Sequence, residues 1–338
     1  MRIAYDVTPL SHPRTGVGNY ILGALRGMLE ADGEHELVAF GPVSIRGRKL
    51  LEGTLDGLPV QRRLLTVPFA HAARRTWGLV AWPPAERLVG DFDVLHFTDW
   101  MRPPQRHGVR ATMIHDLGPL HFPERLHPRT VRMHTVNAFE AKRCDVVFVN
   151  SEFTAGDLAA ELGIARERIR VAYPGVASAF SPDGPRREEG TPYVFTTATH
   201  EWRKNLGTLR AAAKLFAADL RLLTLDESGY VGDDELAALY RGAAAFVYPS
   251  RFEGFGMPVI EAMACGVPCV VSAHPSLDEA SGDAAVRVDP DRAEAIAAGI
   301  AEALACRADL VRRGLAHARR FTWTETGRVH LQSYADAL

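Results

Sequence analysis

The apolar positions of this chain fall into short runs separated by longer stretches with helical spacing. In the first half, residues 2–7, 36–40, 93–98, 110–115, 145–150 and 169–173 read as strands, and 18–31, 128–142 and 153–162 as helices. The runs are continuously apolar rather than alternating, as expected of strands buried on both faces of a parallel sheet. Breaks at Pro174-Gly175 and Ser181-Pro-Asp-Gly-Pro185 interrupt the pattern, which then restarts. Strands are expected at 193–197, 220–225, 245–249, 268–272 and 284–288, with helices at 205–217, 233–242, 257–265, 292–306 and 308–320. The reading is therefore an α/β protein with two doubly wound, Rossmann-like domains, 1–174 and 175–321. A last helix at 322–338 is placed to cross back towards the first domain.

The chain's 338 residues are enough for two such domains. No stretch approaches the ~18 consecutive apolar residues of a membrane-spanning helix, and the N-terminus enters a strand directly. A cytoplasmic protein is expected, with its four cysteines as reduced core thiols. The net charge of -2 excludes the strongly basic footprint of a nucleic-acid binder. Charge is uneven, with 22 Lys+Arg against 19 Asp+Glu in residues 1–170 and 17 against 22 in 171–338.

In open parallel sheets the chemistry sits on loops that follow strands. The most informative is Tyr248-Pro-Ser-Arg-Phe-Glu-Gly-Phe-Gly-Met-Pro258, which leaves a strand and opens a helix. Gly254 and Gly256 allow a ligand close to the backbone, and the helix start suits an anion. Glu253 lies in the loop and Glu261 one turn into the helix. As a loop carboxylate, Glu253 is expected to contribute little to stability. Trp202-Arg203-Lys204-Asn205 follows the first strand of the second domain and offers adjacent cations. Thr15-Gly16-Val17-Gly18 opens the first helix but lacks the third glycine of a dinucleotide fingerprint. Ile114-His115-Asp116 ends a strand. Asp91-Phe92-Asp93 precedes its strand and reads as a turn, and the histidines lack zinc spacing, so no metal is expected. The segment 69–82 reads either as an amphipathic helix touching a membrane surface or as one packing its tryptophans on the first domain.

The segment from Glu253 to Pro268 resembles the signature of retaining glycosyltransferases of family 4, which have the two-domain GT-B fold with a cleft between the domains. Two glutamates stand with seven residues between them, Gly-Phe-Gly after the first and Glu-Ala-Met-Ala-Cys-Gly-Val-Pro at the second. The resemblance covers nearly the whole chain. It implies a metal-independent transferase without a cofactor, taking a nucleotide diphosphate sugar as donor and a glycan or lipid-linked alcohol as acceptor. It places Glu253 at the donor sugar, Glu261 at the ribose, and the amides of Phe255, Gly256 and Met257 along the sugar and diphosphate. Arg203 and Lys204 stabilise the leaving group, Gly16 and Gly18 lie near the diphosphate, and His115 lines the acceptor site. Bacterial mannosyl- and rhamnosyl-type enzymes are most similar, favouring GDP-mannose. One region departs: residues 220–225 run through 226–231 almost directly into the helix at Asp233, where the family has a further strand. Two alternatives therefore stand beside transfer: a non-catalytic nucleotide-sugar-binding homologue, and an epimerase or hydrolase on the same fold.

Overall fold

A computed structural model describes residues 1–98, 100–225 and 231–338. The tract 226–231, where the family would have a further strand, lies largely outside the described residues. The chain divides into two compact units, Met1–Gly175 with Trp323–Leu338, and Val176–Thr322.

The first unit is built on seven parallel strands in the order β3-β2-β1-β4-β5-β6-β7. They are β1 (Arg2–Asp6), β2 (Glu36–Val43), β3 (Gln61–Thr66), β4 (Val94–Phe97), β5 (Val109–Ile114), β6 (Val146–Val149) and β7 (Ile169–Val171). The strand period of two sorts the side chains between faces. Ile3, Tyr5, Leu37, Ala39, Val94 and Phe148 enter one core, while Ala4, Val38, Phe40 and Leu95 enter the other. Both faces are covered, which is why the strands read as unbroken apolar runs.

The first helix, Gly16–Ala31, packs on the first of these faces beside the C-terminal helix Trp323–Ala337. Glycine makes the approach possible. A Cβ on Gly27 would lie 1.8 Å from the carbonyl oxygen of Trp323, and one on Gly327 would lie 2.0 Å from the carbonyl carbon of Gly27.

A buried polar chain ties the C-terminal helix to the sheet. Tyr20 donates to the Ala172 carbonyl at 3.0 Å and lies 3.1 Å from His330 Nε2. Tyr334 Oη lies 3.1 Å from His330 Nδ1 and 2.6 Å from His96 Nδ1. Only one proton arrangement satisfies all four contacts with neutral rings. His96 Nδ1–H donates to Tyr334, Tyr334 to His330 Nδ1, His330 Nε2–H to Tyr20, and Tyr20 to the carbonyl. His96 Nε2 is then left as a buried lone pair without a partner.

The described residues of the second unit form five parallel strands in the order β12-β11-β10-β8-β9. They are β8 (Tyr193–Thr196), β9 (Arg221–Thr224), β10 (Ala245–Tyr248), β11 (Cys269–Ser272) and β12 (Ala285–Val288). Val194, Val247, Val270 and Val286 pack against Leu209 and Ala212 of helix Leu206–Ala213 and Ile296, Ile300 and Ala303 of helix Ala293–Ala305. Phe195 and Phe246 pack edge-on against Tyr240, with ring centroids 5.4 and 5.2 Å away.

Candidate functional site

Each sheet has one place where the connections diverge to opposite sides, and parallel sheets bind ligands there. In the second unit β8 leads to β9 on one side and β10 to β11 on the other, so the switch lies between β8 and β10. The loop after β8 carries Arg203 and Lys204; the loop after β10 carries Glu253.

These three residues meet. Lys204 Nζ lies 2.7 Å from Glu253 Oε1, and Arg203 Nη1 lies 2.9 Å from Glu253 Oε2. Ser250 Oγ lies 2.5 Å from Glu253 Oε1, and Lys204 Nζ also donates to Tyr248 Oη at 2.5 Å. Glu253 is only 6% exposed. Its loop location thus does not make it peripheral, and the expectation that it contributes little to stability is corrected: it neutralises two half-buried cations. Burial pushes its carboxyl up, but the charges of Lys204 and Arg203, with the hydrogen bonds of Lys204 and Ser250, hold it below the usual range. Burial pulls Lys204 down, and the Glu253 carboxylate more than reverses this, leaving the ammonium firmly protonated.

Local chemistry holds the two loops in register. The Arg251 amide donates to the Arg203 carbonyl at 2.7 Å. Asn205 takes a left-handed conformation at φ 56°, which asparagine tolerates better than most residues. Its Nδ2 donates to the carbonyls of Pro249 at 3.1 Å and Pro290 at 2.6 Å. Tyr248, Ser250 and Asn205 were not singled out from the sequence. A hydroxyl three residues before Glu253 and an asparagine ending the Arg-Lys turn were the available signals.

Beyond Glu253 the chain turns into helix Met257–Ala264, with Pro258 in its first turn. Gly256, at φ 115°, is required there, since a Cβ would meet Leu277 Cδ2 at 2.6 Å. Gly254 and Gly256 thus bracket Phe255, whose side chain is buried against Phe321 at 5.4 Å, so only its backbone can serve a ligand. Glu261 accepts from Tyr240 Oη at 3.2 Å. Burial pushes its carboxyl up to about 7, with Tyr240 opposing and Asp233 adding to the shift. The two glutamates therefore differ in kind: Glu253 is held ionised by cations, while Glu261 titrates near neutrality.

In the first unit the switch lies between β1 and β4. Asp6, at the end of β1, accepts from the Thr98 hydroxyl at 2.5 Å, the Thr98 amide at 3.1 Å and the Thr8 amide at 2.8 Å. Gly16 and Gly18 open the helix that follows β1. His115 follows β5, one strand further along, edge-on to Tyr20 at 5.3 Å. Burial lowers its pKa to about 4 against the opposing effect of Asp116, so its ring is neutral at neutral pH. Asp93 accepts the Arg2 amide at 2.7 Å at the amino end of β4, in the turn expected of it. Among the described residues, His121, Asp157 and Glu161 bring ligand-type atoms within 4.8 Å of one another, with His121 Nε2 paired to Asp157 at 2.8 Å. No helix among the described residues is long and apolar enough to cross a membrane.

Comparison with known proteins fits this geometry. The model for glycosyltransferase family 4 matches residues 14–180, and that for glycosyl transferases group 1 matches residues 214–320. The O-antigen chain mannosyltransferase B of Escherichia coli is 28% identical over an alignment of 390 positions, gaps included, covering 99% of each chain. Sucrose-phosphate synthase from Thermosynechococcus elongatus superposes with a TM-score of 0.70 at 18% identity, covering 99% of this chain and 98% of that one. Anabaena HepE in complex with UDP-glucose superposes with a TM-score of 0.68 at 15% identity, covering 99% of this chain and all of the other. At such identities these structures establish the fold alone, which is GT-B, with two parallel-sheet domains.

Proposed function

We propose, from the premise that this chain belongs to the GT-B glycosyltransferases of group 1 and family 4, that it transfers mannose from a nucleoside diphosphate sugar to an acceptor hydroxyl with retention of configuration. The observation that carries the reading is the ion-paired Glu253–Arg203–Lys204 group at the switch point of the second sheet. It sets two cations beside a helix start, the combination that receives a departing diphosphate. The similarity to an O-antigen mannosyltransferase supports the choice of sugar and a glycan or lipid-linked acceptor.

In the proposed step the acceptor oxygen bonds to the anomeric carbon on the face from which the diphosphate leaves. The bond between that carbon and the phosphate oxygen breaks, its electrons stay on the diphosphate, and the acceptor's proton passes to the departing oxygen. Arg203 and Lys204 stabilise the charge that develops, together with the amides of Phe255, Gly256 and Met257. Glu253 orients the sugar, and Glu261 accepts from the ribose. In the first unit, Gly16 and Gly18 give backbone access at the helix start, and the neutral imidazole of His115 orients the acceptor. No metal or organic cofactor takes part, and the protein acts in the cytoplasm.

A second reading, nucleotide-sugar binding without turnover, is favoured by one feature: among the described residues β9 is a half-exposed strand of four residues at the edge of its sheet. Thermal-shift titration with GDP, UDP, ADP and TDP and their sugar conjugates tests both readings. One nucleotide is expected to raise the melting temperature, and Lys204→Ala to remove most of that shift. Hexose transfer from the stabilising donor, unchanged by EDTA, supports the first reading. Binding without product supports the second, and no binding at all sinks both. A rate abolished by EDTA and restored by Mg²⁺ contradicts the metal-free step.

A further inference from the structure

Large apolar side chains stand in solvent mostly on one stretch of the first unit. Ile45 is 81% exposed, Phe69 86%, Leu79 73%, Val80 67% and Trp82 61%. The chain brings their segments together. The Val67 amide donates to the Val43 carbonyl at 3.0 Å, two residues before Phe69 on one side and two before helix Ile45–Thr54 on the other. Arg48, on that helix, donates to Thr66 Oγ1 at 3.1 Å. From Phe69 the chain passes directly into helix Ala70–Val80.

That helix has two unlike faces. Ala70, Arg74 and Trp77, at helical spacing, are buried, with Trp77 Nε1 donating to the Pro83 carbonyl at 2.6 Å. The other face shows Ala72, Arg75, Leu79 and Val80 to solvent, with Trp82 just beyond. The packing reading of this segment holds for Trp77, which is buried on the domain, but not for Trp82, which stands in solvent.

Charge separates a lipid surface from other occupants. Residues 44–90 carry eight Lys+Arg against three Asp+Glu, a local +5 within a chain of net -2. Arg87 lies over the Trp82 ring, 5.8 Å from its centroid, so a cation and an aromatic face share one spot. A second copy of this chain would bring the same positive charge against itself, whereas an anionic lipid surface complements it. Exposed aliphatic and aromatic side chains with basic neighbours on a short helix are the composition of an interfacial anchor, and tryptophan favours the headgroup level.

We propose that helix Ala70–Val80, with Ile45, Phe69 and Trp82 around it, docks this protein on the surface of an anionic lipid bilayer without spanning it. Apolar side chains enter the headgroup boundary, and Arg46, Lys49, Arg63, Arg75 and Arg87 meet lipid phosphates. The surface belongs to the first unit alone and does not depend on the donor reading, so either can fail without the other. For an acceptor carried on lipid, docking would hold the transferase at the surface where its substrate lies.

The test is co-sedimentation of the full chain with vesicles of phosphatidylcholine alone and of phosphatidylcholine mixed with phosphatidylglycerol. Binding is expected to the mixed vesicles and to fall with added salt. Phe69→Ser/Leu79→Ser/Trp82→Ser should weaken it by about tenfold or more, given the apolar area removed. All three side chains are solvent-exposed, so the variant's melting temperature and nucleotide-induced shift should stay those of the unaltered chain. Arg46→Glu/Arg75→Glu should abolish the preference for phosphatidylglycerol. Tryptophan emission should shift to the blue on adding mixed vesicles, and Trp82→Phe should remove most of that change. No vesicle binding, or binding that the triple substitution leaves intact, overturns the proposal. Self-association lost in the triple variant without vesicle binding also overturns it, in favour of a second copy.

Discussion

Glu253→Ala is expected to lower turnover by about 10³-fold or more and to lower the melting temperature as well. The first effect follows from the proposed role of the carboxylate at the donor sugar. The second follows from geometry alone. Glu253 accepts from Lys204 at 2.7 Å and Arg203 at 2.9 Å, and both cations are substantially shielded from water. Removing Glu253 costs on the order of 3 kcal/mol, mostly through Lys204, which is left without a counter-charge, whereas Arg203 keeps Glu201 at 2.8 Å. At about 2–4 °C per kcal/mol, melting should fall by roughly 10 °C. A second substitution separates the effects. Lys204→Met in the Glu253→Ala background removes one stranded cation and should recover part of the lost stability while leaving turnover at its floor. Calorimetry and a product assay on the single and double variants read both quantities. A Glu253→Ala protein that melts like the unaltered chain contradicts the ion-paired arrangement; one that keeps full turnover contradicts the site assignment.

Arg203, Lys204 and Glu253 were legible in the sequence because each follows a strand and opens a turn. What the sequence did not disclose is their mutual contact. They lie some fifty positions apart, and only the pairing of β8 with β10 brings their loops side by side. The same limit hid Tyr248 and Ser250, whose hydroxyls matter only once Lys204 and Glu253 are beside them. The central strands of both sheets were readable because burial on two faces makes them apolar. β3 was missed for the complementary reason. Gln61-Arg-Arg-Leu-Leu-Thr66 is an edge strand with almost every position facing water, and its sequence carries no burial signal. Exposure on helix Ala70–Val80 was ambiguous for a different reason. Helical spacing shows that one face is apolar but does not say which tryptophan lies inside, and Trp82 lies just past the helix end.

The other large effect expected is acid destabilisation, centred on the chain of hydrogen bonds under the C-terminal helix. His330 is fully buried, and burial pulls its pKa down to about 3. His96, stacked on Tyr5 at 4.3 Å, is lowered well below its ordinary value by burial and by the neighbouring His330 and His115. In the unfolded chain both titrate near ~6.5. Below that pH the unfolded state binds protons that the folded state refuses, so stability falls as the pH drops from ~6.5 towards the folded values. For His330 alone the loss reaches on the order of 3 kcal/mol by pH ~4. The hydrogen bonds require the same direction. A second proton on His330 Nδ1 would face the Tyr334 hydroxyl that donates to it, and one on His96 Nε2 would be buried without an acceptor. Paired carboxylates add their own loss only at lower pH, since their folded values are depressed. Glu261, pushed up to about 7 in the folded chain, binds its proton there first and offsets part of this loss, so denaturant unfolding across pH ~7 to ~4 is read as the difference between two proteins. His330→Gln supplies the decisive comparison, because its amide can donate to Tyr20 and accept from Tyr334 without titrating. That variant should show a flatter profile than the unaltered chain. Equal slopes in the two proteins would mean that His330 is not held neutral in the folded chain.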